Sequence, residues 1–270
     1  MAERRFRRRG AVVAAGVVAV GGCGAPLDDG RGGEQVDVVR RAASVLVDAR
    51  SSKAHTSMEM ATGGTRVTIR GEGVYDFRRH VGRLKVLLPQ GPAGDSSQRA
   101  ITELLAPGAL FMKNRGAGVP ADKWVRVETA SISDGNLVTG GATDPSAAAQ
   151  LLLGVKSVSY VGQEQLAGTD VTHYRGTADL RLAAQRASDG TRDSLAAAAK
   201  GFASPRVPFD VYLDEQGRIR KVRHRFSFVN GQQKDAVAVA STTLLFDFGV
   251  PVDVRLPDRD DIYAGRIAEE

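Results

Sequence analysis

Val67-Thr68-Ile69-Arg70-Gly71-Glu72-Gly73-Val74-Tyr75-Asp76-Phe77 is the stretch on which the fold turns. Its odd positions are apolar or glycine, and most of its even positions are polar. That is the period of a strand with one buried face. Gly71 and Gly73 fall on the apolar face, where a bend or a close neighbour requires space. Arg78-Arg79 makes a tight connection, residues 81–88 form the return strand, and Pro89 ends it. Two strands joined this tightly run antiparallel.

The same period extends in both directions. Residues 55–61 read as a strand leading into a Gly63-Gly64 turn. After a loop over 90–97, short strands at 101–105 and 109–113 flank Pro107-Gly108, and 123–128 alternates Val with charge around the only Trp, Trp124. Further on, 157–165 and 170–178 form a hairpin across Ala167-Gly168-Thr169. Residues 209–214 and 218–229 pair across Glu215-Gln216-Gly217. Asn230-Gly231 is a sharp hairpin signal, followed by strands at 235–248 and 252–256.

Helical segments interrupt this pattern. Val36, Val39, Ala43, Leu46 and Val47 recur at helical spacing and predict an amphipathic helix of about four turns. Asp144-Pro145 starts a second, with Asp as cap and Pro in the first turn, and Gly154 ends it. Residues 180–200 are Ala-rich and helical, broken near Asp189-Gly190 and ended by Gly201. Ten or eleven mostly hairpin-linked strands with helical insertions make one α+β domain. Its sheet is large, curved and antiparallel, with helices covering one face.

The N-terminus is of another kind. Arg4, Arg5, Arg7, Arg8 and Arg9 precede a run of Gly, Ala and Val from Gly10 to Gly22. That run is too short to span a bilayer, which takes roughly 20 apolar residues, and it has the layout of a secretory signal. Arg8-Arg9-Gly10 also loosely fits a twin-arginine signal, so the export route stays open. Val20-Gly21-Gly22-Cys23 holds the only Cys of the 270 residues and resembles the lipobox of bacterial lipoproteins. In that family the thiol takes a diacylglyceryl group and the signal is cut just before it. Two acyl chains, such as palmitate, anchor durably where one does not. The expected organisation is a signal peptide over 1–22, lipidated Cys23 with a flexible tether to residue 33, and one domain over 34–270. The site is the outer face of the cell membrane, with the protein exported and lipid-anchored.

This division changes the meaning of the charge. The whole chain is formally +6. Residues 1–22 carry five Arg and one Glu, and without them 32 basic and 30 acidic residues remain, a net of +2. Nucleic acid is therefore not an expected partner.

Chemistry-bearing motifs are absent from the sequence. It has no G-x-S-x-G, H-E-x-x-H, Walker A or strand-linked G-x-G-x-x-G. His55, His80, His173 and His224 stand among polar neighbours and read as exposed or hydrogen-bonded, with His173 beside Tyr174 a candidate cavity residue. Asp258, Asp260 and Asp261 are interrupted by Arg259 and read as a solvated tail rather than a calcium loop. No catalytic, metal or cofactor site is expected. Arg218, Arg220, Lys221, Arg223 and Arg225 share one strand, read either as a wet outer face or as a contact for anionic headgroups.

The apolar stripes carry more. Met58 and Met60, Leu84, Val86 and Leu88, Leu110 and Met112, and Phe226 and Phe228 each share a strand face. They form an ordinary core or line an adaptable apolar pocket. The lipobox, tether, first helix and long antiparallel sheet together resemble LolA-like lipoproteins of the LppX/LprG type. Residues 207–222 resemble the late hairpin of that group, and 166–176 its middle hairpin. The resemblance implies a half-barrel whose concave face is covered by helices and holds acyl chains, a carrier of a lipid or other amphiphile without catalytic residues. The alternative is a surface lipoprotein with a closed fold that acts through protein partners as a sensor or assembly factor.

Overall fold

The computed structural model describes residues 29–62, 65–87, 100–113, 116, 118–138, 143–229 and 236–264. The signal segment, Cys23, the Gly63-Gly64 and Asn230-Gly231 turns, the 90–97 loop and Leu88 lie outside them. Eleven strands form one antiparallel sheet in the order β6-β5-β4-β3-β2-β1-β11-β10-β9-β8-β7. They are β1 (Ser51–Thr62), β2 (Thr65–Asp76), β3 (Val81–Leu87), β4 (Ala100–Ala106), β5 (Ala109–Lys113), β6 (Trp124–Glu128), β7 (Val155–Leu166), β8 (Thr169–Asp179), β9 (Arg206–Leu213), β10 (Ile219–Val229) and β11 (Ala236–Phe246). The helices are α1 (Asp29–Ala49), α2 (Pro145–Leu151), α3 (Leu180–Arg186) and α4 (Asp189–Gly201).

The order follows from two meanders. The first six strands step outward from β1. The chain then crosses to the far edge through α2 and steps back from β7 to β11, which pairs with β1. The sheet stays open: β6 and β7 are its two edges. Hairpin register puts the apolar parity of each strand on one side. Ile69, Met58 and Ser241 lie abreast across β2, β1 and β11, and Gly73, Leu84 and Glu103 across β2, β3 and β4. The four helices cover that inner side. α1 buries Val39, Ala42, Ala43 and Leu46, and α2 is buried along its whole length.

Gly73 settles between the two readings its position allowed. A Cβ there would stand 1.9 Å from the Arg83 carbonyl oxygen, so the glycine is required by the close approach of β3. Two expectations are corrected. The tether expected to residue 33 is helical from Asp29, because the Gly-rich start of α1 is continuous with an amphipathic helix that packs on the sheet. Residues 252–256 are not a strand. Val252 and Val254 pack instead on the outer side of β4 and β5, against Leu104 and Phe111.

Candidate functional site

The register gathers the sequence-nominated apolar residues onto one surface. Met58, Leu84, Val86, Leu110, Met112 and Phe226 are all buried in one contiguous core on the inner side, and half-buried Met60 packs against it. Phe228 lies on β10 in register with Val237, while Leu88 is outside the described residues. The helices facing this surface mix small side chains, among them Ala147, Ala148, Ala183 and Ala198, with Leu46, Leu151, Leu180 and Leu195. Phe202, just past α4, stacks on Phe226 with ring centroids 4.9 Å apart.

A buried polar row runs through this core, and the sequence reading missed it. Ser52 and Thr56 on β1, Ser241 and Thr243 on β11, and His224 on β10 all point inward and are 6% exposed or less. Ser241 shares a hydrogen bond of 2.6 Å with Thr143, whose hydroxyl also lies 2.9 Å from the Leu137 carbonyl. The Ser52 and Thr56 hydroxyls and Nε2 of His224 have no hydrogen-bond partner among the described residues. A buried polar atom without a partner costs roughly 1–3 kcal/mol. Burial pushes the His224 imidazole down to about 3, so the ring is neutral. The signal was available in strand parity: Ser52 and Thr56 share the face of Met58, and His224 that of Val222 and Phe226.

The four histidines divide. His55 is exposed, and His80 Nδ1 lies 3.0 Å from the Ser146 hydroxyl. His224 contradicts its expectation, being buried, and its Nε2 has no hydrogen-bond partner among the described residues. His173 is hydrogen-bonded, but it sits on the outer face, opposite to Tyr174, as strand alternation demands. Its Nδ1 meets Glu164 and its Nε2 meets Asp210, each at 2.9 Å, and its ring stacks on Tyr212 at 4.2 Å. Asp210 also accepts from Arg175 Nε and Arg225 Nη2, each at 2.8 Å. Burial alone would raise the Asp210 pKa, but the donors Arg175, His173 and Arg225 outweigh it and hold the carboxyl at about 2.

The basic strand spends its charge inside the protein. Arg223 lies 3.5 Å from Glu59, Lys221 stands over the Tyr212 ring, and Arg218 and Arg220 lie over Phe248. An outer-face groove of about 680 Å³ crosses β11, β1, β2, β3 and β4 between Lys53, Glu72, Arg83 and Phe246. Asp258, Asp260 and Asp261 are exposed. Among the described residues no group of three or more His, Cys, Asp or Glu is placed to hold a metal ion, and no helix is long and apolar enough to cross a membrane.

No family model and no curated protein matches the chain. Solved structures do. The Mycobacterium tuberculosis lipoprotein LppX superposes with a TM-score of 0.50 at 12% identity, over 83% of this chain and 99% of that one. LprF from Mycobacterium bovis covers 83% of this chain and 97% of its own at 13% identity, with a TM-score of 0.41. A putative outer membrane lipoprotein-sorting protein domain from Vibrio parahaemolyticus covers 83% of this chain and 94% of its own at 10% identity, with a TM-score of 0.32. At such identities the likeness speaks to architecture, and the LppX superposition spans nearly that whole protein. The chain has the LppX/LprG-type fold, an open antiparallel sheet with its helices gathered on one side.

Proposed function

We propose that the protein is a membrane-anchored lipoprotein, held by acylated Cys23 on the outer face of the cell membrane, that binds a lipid or other amphiphile between the inner face of the sheet and its helices. The work is desolvation of acyl chains against Met58, Met60, Leu84, Val86, Leu88, Leu110, Met112, Phe226 and Phe228. The observation that carries the reading is the row of unpartnered polar atoms on Ser52, Thr56 and His224 in the middle of an apolar face. A core selected only for stability has no use for them. A ligand with a hydrogen-bonding group among its apolar chains gives them partners. The facing surfaces of α2 and α4 are rich in alanine beside Leu151 and Leu195, which suits a layer that can part from the sheet, since each alanine adds little contact area. The role is binding, with no catalytic residues.

The test is native mass spectrometry and solvent extraction of the lipidated chain purified in mild detergent. A lipid retained in stoichiometric amount, and lost in His224→Leu while the fold persists, supports the reading. A folded protein that carries none overturns it. A second reading is favoured by one observation: Met58, Leu84, Val86, Leu110, Met112 and Phe226 are packed into a single core as the structure stands. On that reading the fold is closed and the protein works through a protein partner, which cross-linking in whole cells would recover.

A further inference from the structure

The two edges of the sheet are finished differently. At the β6 edge the chain's own C-terminal stretch lies alongside Trp124. Ile262 bridges Trp124 in parallel, the Tyr263 amide donates to the Trp124 carbonyl at 2.8 Å, and Lys123 Nζ donates to the Asp260 carbonyl at 2.7 Å. At the β7 edge no described segment of the chain plays that part. β7 is twelve residues long, and Tyr160 and Val161 stand 51% and 46% exposed on it. These are two of the most exposed large apolar side chains described.

An uncovered strand invites another strand, but β7 is unsuited to that. Its register slips between Val155 and Ser157 and again between Tyr160 and Gly162. Such bulges break the regular row of N–H and C=O groups that an added strand would need. Val161 is the extra residue of the second slip. What this edge offers is side chains rather than backbone.

The position of α1 says what those side chains meet. α1 packs on β7, β10 and β1, so it crosses the inner face. Arg40 Nη2 donates to the Val155 carbonyl at 2.7 Å, which ties the middle of the helix to β7. Tyr160 and Tyr174 meet edge to face, with centroids 6.1 Å apart. Val36 and Val38 of α1 pack against the same core as Val158 and Tyr174, and the Tyr174 phenol is raised by burial first, then by the neighbouring Tyr160 and the Glu34 carboxylate, in keeping with α1 lying along β7. The helix therefore starts at the β7 edge and ends at β1. Cys23 precedes Asp29 by six residues, and six residues reach at most about 20 Å when fully extended.

We propose that the β7 edge around Tyr160 and Val161 is the surface on which the anchored protein rests against its membrane, with a lipid surface as the occupant. The proposal rests on the acylated-Cys23 reading. A short leash places this edge within reach of the headgroups. A tyrosine, apolar in body and polar at the tip, and a valine suit the headgroup boundary. The contact holds through uncharged side chains, so it is insensitive to ionic strength. The strapped β6 edge then faces away from the bilayer.

The experiment uses the full lipidated chain in phosphatidylcholine vesicles containing nitroxide-labelled lipid. With the native Cys acylated, Val161→Cys supplies the one free thiol for an environment-sensitive fluorophore, and exposed Ala121→Cys, just before β6, supplies the comparison. Flotation of the protein with the vesicles is read first. Quenching several-fold stronger at position 161 than at 121, unchanged by added salt, is the expected result. Protein that floats but quenches equally at both positions overturns the membrane-contact proposal and leaves the anchor standing. Protein that does not float overturns the anchor and the proposal with it.

Discussion

Asp210 and His224 stand on neighbouring strands, one residue out of register, and point to opposite faces of the same sheet. Each is almost completely buried. On the outer face Asp210 is gripped by His173, Arg175 and Arg225. On the inner face His224 lies between Phe209 and Ser241 in register, and its Nε2 has no partner among the described residues. The outer face handles its buried polarity by pairing it. The inner face leaves part of it unpaired, at Ser52, Thr56 and His224, and the imidazole responds by staying neutral. A sheet whose two faces follow different rules has, on the proposed reading, a structural side and a ligand side. The predictions below attack that division.

The largest effect belongs to the packing of the inner face. The Phe209 ring is fully buried and lies over Gly176, where a Cβ would meet its Cζ at 2.8 Å. Phe209→Ala leaves a cavity that the neighbouring strands cannot close, and the expected cost is about 4 kcal/mol in denaturant unfolding. A loss under about 1 kcal/mol would mean that the helices collapse freely onto the sheet, and that the inner face is softer than the structure implies.

Next comes acid. His224 has a folded pKa of about 3 against an ordinary 6.5, so below pH 6.5 the unfolded chain binds the proton and the folded one does not. Its contribution is therefore complete above pH 6.5, declines as pH falls, and levels off near pH 3. The shift bounds that loss at about 5 kcal/mol over the window, and relaxation around the ring makes the observed loss smaller. His224→Leu should flatten the pH dependence between 6.5 and 3 and raise the melting temperature at pH 5. An unaltered pH profile in that variant would show that His224 is not the titrating group.

Asp210 acts in a lower window and more weakly. Its pKa is depressed to about 2, so its stabilisation is present above the unfolded value near 4 and is lost as pH falls toward 2. Asp210→Asn should cost about 2 kcal/mol at neutral pH. It should also free the Arg175 and Arg225 side chains, which are visible as mobile guanidinium signals by NMR. The two faces would thus titrate in separable ranges, His224 from 6.5 downward and Asp210 below 4.

Most of the architecture was legible because it is local. The alternation over 67–77 and the short connection at Arg78-Arg79 set the β2–β3 hairpin. The same reasoning placed β7 against β8, and Asp144-Pro145 marked the start of α2 within a residue. The inner-face nominees were legible by parity, and so was the inward direction of Ser52, Thr56 and His224, had polar residues been held to the same rule as apolar ones. What could not be read is whatever joins strands distant in sequence. His173 and Asp210 are 37 residues apart, with α3 and α4 between them. Nothing in either local pattern announces their pairing. Residues 252–256 misled for a related reason: their alternation answers to a surface of β4 and β5 and not to a neighbouring strand.

The smallest effect tests the comparison with a second aspartate. Asp144 caps α2, accepting from the Ser146 amide at 2.6 Å and the Ala147 amide at 3.2 Å, and the Tyr75 hydroxyl donates to it at 3.3 Å. These donors favour its charged form, yet burial outweighs them and its pKa is raised, opposite to that of Asp210. The same side chain is thus held charged on the outer face and discouraged from charge on the helix side. Asp144→Ala should cost about 1 kcal/mol, the usual worth of an N-cap. Asp144→Asn keeps the cap and removes the buried charge, so it should be close to neutral at pH 7, where Asp210→Asn is costly. Equal losses from the two Asp→Asn changes, measured by chemical denaturation, would dissolve the distinction between the faces. A neutral Asp144→Asn beside a costly Asp210→Asn would place that distinction in the electrostatics as well as in the packing.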